Sequence, residues 1–110
     1  MPDEKYKVEL LSPGQNELEE LAFIHFSLSG PGSAKNFTDK IFSALENLKT
    51  NPEIGLMCRD KQLRIANYRM LICGKYLCFY RKIGKIIYIY HIVDGRTDYP
   101  RIFENMREQE

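Results

Sequence analysis

The sequence predicts an α+β domain of order β-α-α-β-β-β, with an antiparallel sheet packed on an N-terminal helical hairpin and a short C-terminal helix. Three observations predict it. An alternating apolar–polar run near the start is followed by two stretches with apolar residues at three- and four-residue spacing. From residue 68 onward the chain turns rich in β-branched and aromatic residues, interrupted only by two Gly-Lys pairs. At 110 residues the chain has room for one domain, here taken as 1–110.

From Lys5 to Leu11, Tyr6, Val8 and Leu10 alternate with Lys5, Lys7 and Glu9, the period of a half-buried strand. Ser12 then suits a helix N-cap, Pro13 the first helical position, and Gln15 the closing member of a capping box. In the helix that follows, Leu18, Leu21, Ala22, Ile24 and Leu28 form the apolar set, and Glu17, Glu19 and Glu20 complement the positive end of the dipole. Residues 29–33, Ser-Gly-Pro-Gly-Ser, break it. The second helix carries the clearest stripe: Ala34, Phe37, Ile41, Ala44, Leu45 and Leu48. Thr50-Asn51-Pro52 ends it, because proline disfavours helical geometry in the residue before it. Two amphipathic helices joined by a short breaker read as an antiparallel hairpin.

Residues 62–66 are expected to add a strand ahead of three longer ones at 68–73, 76–83 and 86–93. Gly74-Lys75 and Gly84-Lys85 place glycine first in a two-residue turn, which suits type II′ and gives a meander. That turn would set Arg69 opposite Tyr80 and Leu71 opposite Cys78. One sheet face takes the helices and the other stays partly open. From Pro100 a short helix is expected, fraying in the charged tail 107–110.

Hydrophobic residues make up 44% and charged residues 28%, the balance of an ordinary globular protein. No apolar run approaches the roughly 20 residues that span a bilayer. The first five residues contain no apolar signal region, so a cytoplasmic protein without membrane contact is expected. Three cysteines (Cys58, Cys73, Cys78) form no Cys-x-x-Cys pair, and His25 and His91 lie far apart, so neither metal nor other cofactor is expected. The thiols read as reduced and packed.

Charge is segregated. Residues 1–57 carry five Lys/Arg against nine Asp/Glu, whereas residues 59–101 carry ten against three. Such a split serves solubility, or else gives the second half an anion-facing surface for nucleic acid or an acidic protein segment.

The run YRMLICGKYLCFYR over 68–81 and the run IYHIVDGRTDY over 89–99 resemble the paired motifs of the RelE/ParE toxin superfamily, and the corner NPEIG at 51–55 has its layout. The resemblance covers roughly residues 6–103. It implies the toxin of a type II toxin–antitoxin module, a plasmid-stabilisation or addiction system, neutralised by a cognate antitoxin. RelE-like members cut mRNA inside the ribosome without a metal; ParE-like members poison DNA gyrase and are not known as nucleases.

Cleavage through a 2′-hydroxyl needs a group to orient that hydroxyl, cations for the developing phosphorane charge and an acid for the leaving oxygen. The resemblance assigns such roles to Arg69, Arg96 and Tyr99, with Tyr99 as proton donor or stacking ring. Lys61, Arg64, Lys75, Tyr80 and Arg81 are the accompanying candidates for contact with nucleic acid or target. Arg69 and Arg96 are expected to face one anionic ligand from a curled sheet. Against cleavage, Leu71 and Leu77 stand where RNA-cutting members tend to carry Lys and Arg, and neither neutralises a phosphate. Each candidate also has a plainer reading: Arg69 and Arg81 as exposed strand residues, Arg96 paired with Asp98, Tyr99 and Tyr80 as packing aromatics, and His91 as a hydrogen-bonded core histidine. Three functions follow: a ribosome-dependent mRNA endonuclease, a gyrase-trapping toxin without chemistry of its own, or a non-toxic basic binding module of the same fold.

Overall fold

Leu11 is where the first strand becomes the first helix, and its backbone serves both. Its N–H donates to Ile89 O at 3.0 Å, and its carbonyl accepts from Gln15 N at 2.9 Å. The computed structural model describes residues 5–101 and residue 103. These residues form β1 (Lys7–Leu10), α1 (Ser12–Ser29), α2 (Pro31–Leu48), β2 (Leu56–Met57), α3 (Lys61–Ile65), β3 (Arg69–Cys73), β4 (Tyr76–Ile83) and β5 (Ile86–Asp94). A helical turn covers Tyr99 to Arg101, and Phe103 is helical too. The tail expected to fray lies outside the described residues.

Because Leu11 is held extended by Ile89, it is the N-cap and Ser12 is already helical, one residue earlier than the sequence implied. No side chain caps α1, and Gln15 donates instead to Glu19 at 2.7 Å. Nor does any acidic residue lie in its first turn. Of the expected break only Gly30 lies between the helices, at φ 86, a conformation glycine adopts freely. Pro31 starts α2, where its missing N–H costs nothing.

The sheet runs β1-β5-β4-β3-β2. It is mixed where a wholly antiparallel one was expected: β1 joins parallel to β5, Lys7 beside Ile86 and Leu10 beside Ile89. The helical hairpin between them supplies the long crossover that parallel pairing needs. Gly74 and Gly84 have φ 60 and 62, while Asn67 is the only described non-glycine with positive φ. Lys75 and Lys85 therefore have negative φ, which makes both turns type II′. They fix the expected register, Arg69 beside Tyr80 and Leu71 beside Cys78.

Residues 62–66 are not a strand. Asp60 caps a short helix there by accepting from Leu63 N at 3.0 Å, and Asn67 in the left-handed conformation closes it. The additional strand is instead β2, paired with Arg69 and Met70.

Both sheet faces are covered. Phe37, Ile41, Leu45 and Leu48 of α2 meet Cys78, Tyr80, Ile87, Ile89 and Ile92 on the first. On the second, expected to stay partly open, Cys58, Leu63 and Phe103 close over Phe79, Tyr90 and Val93. A bulge lets Phe79 face His91 while Tyr80 faces Ile89. It sets the Tyr90 ring in the second core and His91 edge-on to Phe103 at 5.0 Å. Beyond Ile89, β5 has lost β1 as neighbour. Glu17 of α1 takes over there, accepting from Ile92 N at 2.9 Å and lying 2.9 Å from His91 Nδ1. No helix among the described residues is long and apolar enough to cross a membrane.

Candidate functional surface

The candidate side chains divide into three groups. The first closes the corner 51–55. Tyr80, fully buried, donates its hydroxyl to Pro52 O at 2.7 Å and accepts from Gly55 N at 3.0 Å. Burial raises the Tyr80 pKa, against the opposing pull of the Gly55 N–H and the Arg69 charge. Arg69, its cross-strand neighbour, donates to Gly55 O at 2.8 Å and Glu53 O at 3.4 Å. Both bonds come from Nη1 and tie the Arg69 side chain to the chain's own carbonyls.

The second group lies on the other sheet face. The Arg81 guanidinium sits 4.8 Å over the Tyr68 ring and 5.3 Å over Tyr90. It donates Nη2 to the Tyr90 hydroxyl at 3.0 Å, while Tyr68 meets Phe103 edge-on at 4.7 Å. Tyr99 tilts against Phe79 at 4.7 Å in the same layer. Lys61 and Arg64 are exposed on α3, and Arg64 Nη1 donates to Arg59 O at 3.2 Å.

The third group surrounds the end of β5. Arg96, with its side chain 91% exposed, meets Asp94 through Nε at 3.1 Å and Nη2 at 3.3 Å. That contact, and not one with Asp98, raises the Arg96 pKa and lowers that of Asp94. Gly95 N donates to Lys75 O at 2.8 Å, which ties this loop to the β3–β4 turn. A shallow cavity of about 630 Å³ here is lined by Lys75, Tyr76, Asp94, Arg96, Thr97 and, from α1, Leu21 and Ile24.

Arg69 and Arg96 are not brought together. Tyr76 pairs with Asp94 and Tyr80 with Arg69, four residues apart on β4, roughly 13 Å along the strand. The cavity beside Arg96 does not include Arg69. Leu71 packs with the helix-side core and Leu77 with the opposite one.

The sequence reading missed the apolar component. Ile24 and Leu28, expected in the core, are 50% and 80% exposed. Phe23 and Phe26 stand out with them, so α1 presents large side chains around most of its circumference. The signal was present: Phe23, Ile24, Phe26 and Leu28 span more of the helix than one buried stripe can hold.

A search of curated proteins gives no match. Among solved structures, the chain is similar to one described as the chromosomal ParDE TA system from P. aeruginosa. The two share 17% identity and a TM-score of 0.69 over 83% of this chain and 97% of that one. It is also similar to a chain of the RelBE2 toxin–antitoxin complex from Mycobacterium tuberculosis, at 17% identity and a TM-score of 0.59, over 82% and 98%. At these identities the likeness is one of fold, and it bears out the α+β, RelE/ParE-like architecture. A sequence pattern goes further: that of the ParE toxins of type II toxin–antitoxin systems, parDE, matches residues 8–99. The match runs from β1 through the helical hairpin and the three-stranded meander to Tyr99, and this chain therefore belongs to the ParE toxin family.

Proposed function

We propose that this toxin arrests growth by gripping a protein target, DNA gyrase, and not by cutting RNA. One observation carries the reading. Of the three residues the cleavage reading needs, Arg96 alone lines the cavity it shares with Lys75, Leu21 and Ile24, while Arg69 is engaged with the 53–55 backbone and Tyr99 packs on Phe79. Stabilising a phosphorane needs cations converging on one point. An exposed arginine beside large apolar side chains suits a protein interface, where arginine and aromatic residues are enriched. Leu71 and Leu77, packed in the two cores, add no phosphate-binding charge.

The similar solved structures are described as toxin–antitoxin systems, and a cognate antitoxin is the second partner in this reading. A disordered antitoxin segment that folds on binding covers much of a small domain, and the exposed α1 side chains with Arg96 offer it a docking surface. Both partners place the working protein in the cytoplasm.

Induction in growing cells tests the proposal, with replication, DNA-damage signalling and protein synthesis followed together. Replication is expected to stop first, with gyrase-dependent strand breaks, and purified protein is expected to inhibit gyrase supercoiling. Arg96→Glu is expected to abolish both. Early mRNA cleavage on ribosomes with supercoiling unaffected would show RNA to be the target. Unimpaired growth would reject the toxin reading and leave a binding module.

A further inference from the structure

Between the helical hairpin and the β3–β4 turn lies a cavity of about 450 Å³ that shares Lys75 and Tyr76 with the one beside Arg96. Its rim is cationic: Lys40 from α2 and Lys75 from the turn line it, and among the described residues no aspartate or glutamate does. The Lys40 charge is near enough to act on the Cys73 thiol, and the Lys75 ammonium lies 5.5 Å from the Tyr76 ring centroid. Lys75 also acts on Asp94, but that carboxylate is already held by Arg96.

The same cavity is lined by a chain of three polar groups. His25 Nε2 is 2.7 Å from the Tyr76 hydroxyl, and its Nδ1 is 3.3 Å from Ser33 Oγ. A neutral imidazole donates through one nitrogen and accepts through the other. The hydroxyl that receives its proton keeps its own O–H for a further acceptor, and a protonated imidazole leaves both hydroxyls so disposed. His25 is fixed from the side by stacking on Phe37 at 4.7 Å. Phe37, Ile41 and Cys73 give the cavity an apolar wall.

We propose that this cavity binds a small organic phosphate of nucleotide size. Two ammonium groups and the hydroxyl that keeps its own O–H match an oxyanion with several oxygens, and lysine binds phosphate as a point charge. The apolar wall takes the carbon body, which inorganic phosphate lacks. The volume falls within the range of small-molecule sites. This goes beyond the growth-arrest reading and does not depend on it.

The test is titration of the full chain, labelled with nitrogen-15, with AMP, adenosine and inorganic phosphate. AMP is expected to shift the amides of Gly74, Lys75 and Tyr76 and to bind at least about tenfold more tightly than either of the others. The Lys40→Ala, Lys75→Ala double variant changes only exposed side chains and is expected to keep its fold by circular dichroism. It should lose at least about tenfold in AMP affinity. No shifts with millimolar AMP, or equal AMP affinity in the double variant, would overturn the site. Adenosine binding as tightly as AMP would overturn the role of phosphate, and inorganic phosphate matching AMP would overturn the organic ligand.

Discussion

Arg69 and Tyr80 face each other across β3 and β4, and both reach the same corner of the chain: Arg69 donates to Gly55 O, and Tyr80 accepts from Gly55 N. Gly55 is thus held through both its N–H and its carbonyl by residues that pair in the sheet. The corner that carries the chain from α2 into β2 is fastened to the sheet at its middle.

Tyr80→Phe keeps the ring and removes the hydroxyl, leaving the Gly55 N–H and the Pro52 carbonyl without this partner. The expected loss is about 1–3 kcal/mol, because a buried N–H without an acceptor carries its full desolvation cost. Urea denaturation should show a lower midpoint at an unchanged slope.

At Gly55 itself the constraint is steric. A Cβ there would stand 2.6 Å from the Tyr80 hydroxyl and 2.7 Å from its ring, and Tyr80 is fully buried. Gly55→Ala is expected to destabilise by about 1–3 kcal/mol. In the Tyr80→Phe background the cost should shrink, and a double-mutant cycle measures that coupling.

Arg69→Ala is expected to cost about 1–2 kcal/mol through the lost bonds to Gly55 and Glu53 carbonyls. If its contribution is to hold the corner, toxicity should fall in step with stability, and growth at lower temperature should restore it. Toxicity lost at full stability, read by thermal melting, would instead give Arg69 a direct role at the target.

Glu17→Ala removes the acceptor for Ile92 N–H and the carboxylate beside His91. About 1–3 kcal/mol of destabilisation is expected. Amide exchange should accelerate most at Ile92, where β5 no longer has β1 beside it.

Cysteine chemistry should separate the three thiols. Cys58 and Cys78 are buried, and burial pushes their pKa values up to about 11 and about 12. A thiol whose folded pKa lies above its unfolded one stabilises fully below the unfolded value, and that contribution is lost as pH rises through the folded value. Stability is therefore expected to decline from about pH 9 upward and to fall further toward pH 12. In the native protein a thiol reagent should modify half-buried Cys73 first and the other two only on unfolding.

Local chemistry made much of this fold legible. Gly74-Lys75 and Gly84-Lys85 dictate type II′ turns, and those turns set the register of β3 on β4 and of β4 on β5 as far as Tyr80 and Ile89, where a bulge shifts it. The stripe of α2 names its own buried residues, Phe37, Ile41, Leu45 and Leu48. The 62–66 segment misled because five residues are too few for helical and strand periods to differ, although Asp60 and Asn67 signalled a helix.

The sequence by itself determined the helical hairpin, the meander and the Arg69–Tyr80 pairing, because spacing and turn chemistry act over a few residues. Only the tertiary structure decided that β1 runs parallel to β5, that α3 and Phe103 cover the second sheet face, and that Arg69 is spent on the 53–55 backbone while Arg96 stands free of it beside α1. Those outcomes join residues dozens of positions apart. They depend on which carbonyls and apolar surfaces packing leaves without a partner, and no local pattern encodes that.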